Sequence, residues 1–340
     1  MPDFFIPKLC VLVLLIAVIG CTRDYPSLDG PRVVAVTPPA STTPGSSSTS
    51  SPGSSTAVPP APFDTLKVSP PRFSPDGGTF YLNTPVRLIA DTLPAGAVIE
   101  YSLDNGSNWL TGDQFTVATG GTVLARIRAG SKLSISRGAS FALYFKRMLI
   151  LGNSIMSHGP VPDLGWFNFN GMAASAPEKD FVHLLTGRLR ALYPTITVDL
   201  ESGGGFERDF GTAAYSIDEF TPILQRVKPD LIVLRIGENI DQELVAPRNF
   251  EKQFRELLDL LANYGQPVRL VCTTSVWNKP KSDAIVRAVT LEKGHALVDL
   301  SPLVGQGGYF ASQYKDPGVA AHPNDAGMQR IADLIWEKIQ

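Results

Sequence analysis

The stretch LILGNSIMSHGP, residues 149–160, leaves an apolar, strand-like run for Gly152, Asn153 and Ser154, with His158 four positions further on. A serine hydroxyl is a weak nucleophile until a base takes its proton, and a turn after a strand lifts it to the solvent side of a sheet edge. The same residues also suit a plain strand-to-loop turn. Three more polar clusters follow or flank apolar runs: ESGGGFERDF (201–210), GENID (237–241) and, near the chain end, VAAHPNDAG (319–327). Taken singly, a Gly-x-Ser turn, a Gly-x-Asn or a His-Pro also occurs in proteins without catalysis. Their meaning depends on whether the fold brings them together.

Beyond Lys146 the strand candidates MLILG, ITVDLE, LIVLRIG, VRLVCTT and ALVDL alternate with helical periodicity over 177–192, 216–227, 248–263, 282–293 and 325–339. Strands apolar on both faces, interleaved with amphipathic helices, predict an α/β domain with a parallel sheet in three layers. In such folds ligands gather at the C-terminal ends of the strands, which is where the polar clusters fall. Ser175 and Glu178 stand at capping-box spacing around Pro177, predicting a helix start there. Residues 66–145 differ: short β-favouring segments separated by DGG, DNGS and TGG predict a small antiparallel β-sandwich without helices. Within it Tyr101 and Trp109 are either rings for stacking on sugars or buried strand aromatics.

With 340 residues, 44% hydrophobic and 18% charged, the chain can bury a sizeable core, and its length fits two folded domains. A net charge of -2 and a pI near 6.1 give no electrostatic basis for a nucleic-acid partner. The N-terminus MPDFFIPKLCVLVLLIAVIGC carries one lysine and an apolar run of signal-peptide length. The following Ser/Thr/Pro-rich stretch, to residue 63, has too little apolar surface to offset ordering and reads as a disordered tether. Cys10 falls in the leader and Cys21 at its end, so Cys272 is the one internal thiol and no intrachain disulfide is expected. The His, Cys and carboxylate residues show no zinc spacing, and the expected chemistry calls for no metal and no cofactor.

VIGC resembles a bacterial lipobox. That resemblance implies cleavage after residue 20, lipid on Cys21 and an exported chain anchored to a membrane; Thr22 after it leans toward the outer membrane or cell surface. The wording PPRFSPDGGTFYLNTPVRLIADTLPAGAVIEYSLDNGSNWLTG resembles, over most of residues 69–145 and largely in turn and core positions, the small β-sandwich found at the C-terminus of chitobiases, which implies such a domain over 64–145. The order of the four polar clusters resembles the SGNH, or GDSL-like, hydrolase superfamily over nearly all of residues 147–340, which implies a hydrolase domain over 146–340. GNSIMSHGP, GWFNFNGMAASAPEKDFVHLL and GENI are similar to a group of exported bacterial SGNH hydrolases whose serine block reads Gly-Asn-Ser.

This resemblance implies a serine esterase with Ser154 as nucleophile and His322 as general base. The oxyanion would be received by the Ser154 backbone N–H, a Gly203 or Gly204 N–H and the Asn239 side-chain amide. The aspartate that the family places three residues before the histidine is replaced by Val319. Asp316, six residues before, is the acid expected to reach His322 through the Pro317-Gly318 bend, with a backbone carbonyl and a Ser-His dyad as the alternative. Asp325 is expected at a helix start, His158 in a loop or pocket wall, and His183 and His295 in structural roles. Asn153 and Ile240 stand where the family often has aspartates, and Glu238 and Asp241 read as a solvated loop. Surface placement and the chitobiase-like region imply acetyl or other short acyl esters of carbohydrates as substrates of a monomeric enzyme. A lipase or thioesterase, or an inactive glycan-binding lipoprotein, are the alternatives.

Overall fold

A computed structural model describes residues 65–339. The expected leader, the lipid site Cys21 and the tether lie outside the described residues. Residues 72–143 form β1 (Arg72–Ser74), β2 (Gly78–Phe80), β3 (Thr84–Ile89), β4 (Val98–Ser102), β5 (Leu110–Thr111), β6 (Gln114–Val117), β7 (Gly121–Ala129), β8 (Lys132–Leu133) and β9 (Arg137–Leu143). They make two sheets, β1-β3-β6 and β2-β9-β7-β4-β5, with β8 on β7. Alternate residues point to opposite faces of a strand, so Phe73 and Phe115 of the first sheet meet Phe141 of the second, with ring centroids 6.0 and 5.5 Å apart. The pairing is antiparallel except between β2 and β9. The β2–β9 pair departs from the antiparallel pairing that the turn spacing predicts. After β2 the chain crosses to β3 in the other sheet, so no hairpin fixes the direction of β2.

Neither aromatic singled out in this region offers a free platform. Tyr101 stacks on Phe115 at 5.5 Å, and the Arg126 guanidinium lies over the Trp109 ring at 3.6 Å.

The apolar runs beyond residue 146 form β10 (Arg147–Gly152), β11 (Thr197–Ser202), β12 (Leu231–Leu234), β13 (Arg269–Thr273) and β14 (Ala296–Val298). All neighbours in this sheet pair parallel, in the order β11-β10-β12-β13-β14. The order reverses between β10 and β12, and at such a switch point the two following loops diverge and leave a crevice. The helices are α1 (Phe181–Leu192), α2 (Gly204–Asp209), α3 (Thr221–Val227), α4 (Phe250–Ala262), α5 (Pro280–Glu292), α6 (Pro317–Ala320) and α7 (Asp325–Ile339). Leu149, Leu151, Ile232, Leu234, Leu270 and Cys272 face one side of the sheet and pack with side chains of α2 to α5. The opposite side is covered by α1 and α7, which pack on each other, α7 also reaching β13 and β14. This is the expected α/β architecture with helices on both faces of a parallel sheet. Cys272 is fully buried, and burial pushes its thiol up to about 12.

One helix start differs from expectation. Pro177–Lys179 is a single 3-10 turn, and α1 begins after Asp180, whose carboxylate accepts the His183 N–H at 2.8 Å. The capping box does not form because Ser175 is engaged elsewhere: its N–H and hydroxyl both donate to Asp325, at 2.8 and 2.6 Å. Asp325 stands at a helix start as expected, the first residue of α7, and its carboxylate also ties that start to the loop at Ser175, while Asn324 accepts the Gly327 N–H there.

Candidate active site

The loops after β10, β11, β12 and β13 converge with the segment before α7. Gly152 ends β10 because nothing larger fits: a Cβ there would sit 2.7 Å from the Met156 Cβ. The Asn153 carbonyl accepts the Met156 and Ser157 N–H groups at 2.9 and 3.2 Å, closing a tight turn with Ser154 inside it, and the Ser154 carbonyl accepts the Met172 N–H at 2.9 Å. The Ser154 N–H meets no protein acceptor among the described residues.

Across 168 residues of sequence, Ser154 Oγ lies 2.7 Å from His322 Nε2. The other ring nitrogen, Nδ1, lies 2.7 Å from the Gly318 carbonyl oxygen. A carbonyl can only accept, so Nδ1 carries the proton, and Nε2 is the lone-pair nitrogen that accepts the serine O–H. The His322 backbone is held by its N–H to Val319 O and by Ala311 N–H to its own carbonyl, both 3.0 Å. The Trp277 indole stands edge-on to the imidazole at 5.6 Å and donates to the Ala321 carbonyl at 2.8 Å.

Asp316 does not contact His322. Its Oδ1 accepts the Val319 N–H at 2.9 Å and caps α6, the single turn that carries the Gly318 carbonyl. The alternative of a backbone carbonyl on the ring is the one the geometry realises. Val319 has no room to be an acid, because its side chain is buried against Trp166, Met172, Ala173 and Ala311.

Gly203 is not the second oxyanion donor. Its N–H donates to the Gly152 carbonyl at 2.7 Å, extending the β10–β11 ladder, and so is not available to a ligand. A Cβ at Gly203 would be 2.5 Å from Ile236, which accounts for glycine there. Gly204 N–H, at the start of α2, meets only the Ser202 hydroxyl at 3.2 Å. Asn239 is exposed, and its Nδ2 donates one N–H to Glu207 Oε2 at 2.8 Å, which leaves the second N–H for another acceptor.

Behind these groups lies a buried polar network that the sequence reading missed. Glu207, Arg235 and Glu238, the last of which the sequence places in a solvated loop, are all three buried. Arg235 Nη1 donates to Glu238 Oε2 at 2.6 Å. Asn153 Nδ2 donates to both Glu238 and Glu207, at 2.7 and 3.1 Å, and Asn153 Oδ1 accepts the Ile155 N–H at 3.1 Å. Glu238 Oε1 accepts the Ser275 hydroxyl and the Val276 N–H. Asn153 therefore has a physical reason to be an amide: an aspartate would place a third carboxylate against two others. An arginine inside the apolar run LIVLRIG was the available signal, since a charge is almost never fully buried unpaired.

Burial pushes His322 below the ordinary imidazole value; the Gly318 bond and Glu238 oppose this, while His158 and Arg235 add to it. Burial is thus the main cause. Burial pushes the Glu238 carboxyl up, but Arg235 and the hydrogen bonds from Asn153 and Val276 outweigh it and hold the group below the usual range. His158 bonds through Nδ1 to the Gly159 carbonyl, His183 to Asp180, and His295 is held low by burial.

No protein-family model matches the chain, and no curated protein matches it. Among solved structures, it is similar to a two-domain esterase active on acetylated mannans, at 16% identity and a TM-score of 0.42 over 57% of this chain and 48% of that one. It is also similar to a family two carbohydrate esterase from Clostridium thermocellum in complex with cellohexaose, at 12% and 0.40 over 77% and 94%. A catalytic mutant of an acetylxylan esterase from Geobacillus stearothermophilus gives 16% and 0.36 over 57% and 94%. The chain spans about half the length of the mannan esterase.

Proposed function

We propose that the chain is a serine ester hydrolase working through a Ser154–His322 dyad. The observation that carries this is the 2.7 Å contact between Ser154 Oγ and His322 Nε2, with the ring tautomer set by Gly318. Ser154 Oγ attacks the ester carbonyl as its proton passes to Nε2. The oxyanion is received by the Ser154 N–H, the second N–H of the Asn239 amide and the Gly204 N–H, which exchanges its 3.2 Å bond to the Ser202 hydroxyl for the ligand. His322 returns the proton to the departing alcohol, then takes one from the water that cleaves the acyl-enzyme. The whole reading keeps the lipid anchor on Cys21, the tether to residue 63, a β-rich domain over 64–145 and the hydrolase domain over 146–340.

Short acyl esters on carbohydrate are the substrate class we favour, on the strength of the loop beside the nucleophile. In Trp166–Asn170 the side chains alternate: Trp166 and Asn170 are buried, whereas Phe167 and Phe169 are 66% and 65% exposed. The segment is tied to the nucleophile turn by Ser157 Oγ–H to Phe169 O at 3.3 Å and His158 N–H to Asn170 O at 3.0 Å. Two exposed rings without polar tips, among serine and asparagine side chains, suit the apolar face and hydroxyl edge of a pyranose. Hydrolysis of 4-nitrophenyl acetate and of acetylated oligosaccharides tests both steps. Ser154→Ala is expected to abolish both activities. The double replacement Phe167→Ala with Phe169→Ala is expected to raise KM for the oligosaccharide by about tenfold, from roughly 0.5–1.5 kcal/mol per ring, and to leave 4-nitrophenyl acetate turnover unchanged. A rate that climbs from acetyl to octanoyl esters would instead make the rings an acyl-chain surface and the enzyme a lipase.

A further inference from the structure

We infer that Glu207 is a positioning residue that aims the Asn239 amide, so that oxyanion stabilisation depends on a carboxylate no ligand touches. The inference rests on the serine hydrolase reading above. Glu207 is fully buried on α2, immediately after the glycine run. Its Oε1 accepts the Gly237 N–H at 2.7 Å, the Asn239 N–H at 3.2 Å and Asn153 Nδ2 at 3.1 Å; its Oε2 accepts Asn239 Nδ2 at 2.8 Å. Four donors from two loops thus converge on one side chain, and both oxygens accept, which only a carboxylate can do throughout.

The consequence for Asn239 is geometric. An exposed asparagine turns freely about its terminal torsion, a broad and soft one, and a freely turning amide pays for its orientation in every turnover. Here Glu207 grips the residue twice, by the backbone N–H and by one side-chain N–H, which leaves the remaining N–H with a single direction. Gly237 supports this with φ at 141°, a conformation that L side chains rarely adopt, and its N–H reaches the same oxygen. Through Asn153, the same carboxylate also joins the oxyanion loop to the turn that carries Ser154. Glutamine would supply one acceptor oxygen and turn an N–H₂ toward at least one of these donors.

A double-mutant cycle on kcat tests the role. Glu207→Gln alone is expected to lower kcat for 4-nitrophenyl acetate by about 10- to 100-fold with KM within about twofold, because alignment matters most where charge develops. Asn239→Ala is expected to lower it by about 10²- to 10³-fold. If Glu207 acts through Asn239, adding Glu207→Gln to Asn239→Ala lowers kcat less than about twofold further. Should Glu207→Gln fail to fold, as judged by its melting curve, the same cycle is run with Glu207→Asp, which keeps the charge and shortens the reach. Multiplicative losses in the cycle, or a kcat at the wild-type level in the single variant, would overturn the role of Glu207 while leaving the serine hydrolase standing. A folded wild-type chain that cleaves no ester overturns the hydrolase reading and this role with it.

Discussion

His322→Ala is expected to lower kcat by a factor on the order of 10⁴ to 10⁶, whereas Asp316→Asn is expected to cost less than about tenfold. The first figure follows from removing the base that, among the described residues, is the one in contact with Ser154 Oγ. The second follows from geometry. Asparagine caps a helix about as well as aspartate, so Asp316→Asn keeps α6 and the Gly318 carbonyl in place and removes only a charge that does not reach the ring. An aspartate that held the imidazole would cost about 10⁴ on the same replacement. The pH profile supplies a second readout. Because burial lowers His322 below its ordinary 6.5, the ring stays neutral and competent into mildly acidic solution. The acid limb of kcat/KM therefore has its midpoint below 6.5, and activity is lost only as pH falls through that lower value.

Arg235→Met is expected to destabilise the folded chain by about 3 to 5 kcal/mol, because it leaves the Glu238 carboxylate buried without its counter-charge. For a folded region of this size that is a drop in Tm on the order of 10 °C. Arg235→Met combined with Glu238→Gln is expected to recover part of the loss, since a neutral amide no longer needs the guanidinium while its oxygen can still accept from Ser275 and Val276. Thermal melts of the single and double variants check this. A double variant less stable than the single would show that the carboxylate serves the fold in some way other than its pairing with Arg235. The sign with pH is fixed by the direction at Glu238. Its folded value lies below the unfolded one, so the contribution is complete above the ordinary carboxylate range and fades as pH falls through the depressed value.

Much of the scaffold was legible because hydrophobic period is a local property. The strands MLILG and LIVLRIG and the helices at 248–263 and 282–293 emerge close to where their apolar spacing puts them, β10, β12, α4 and α5. What the sequence could not carry was partner choice. Asp316 is an acid near His322 in sequence, but its oxygen is captured by an N–H three residues away, and the ring takes a carbonyl from the same turn. Gly203 and Gly204 are equivalent in a run of three glycines; only the ladder bond to Gly152 separates them. Glu207 and Glu238 look like ordinary loop and helix charges until the chain folds them to either side of Asn153. Ser175 has the right spacing for a capping box and is drawn off by Asp325, 150 residues later.

The most direct test of the central claim is covalent: treat the folded protein with a fluorophosphonate at neutral pH and locate the adduct by mass spectrometry. A lone-pair nitrogen 2.7 Å from Ser154 Oγ predicts a single phosphonyl group on Ser154, absent in Ser154→Ala and strongly slowed in His322→Ala. An unmodified Ser154 in a protein that still shows its cooperative melt would contradict the account.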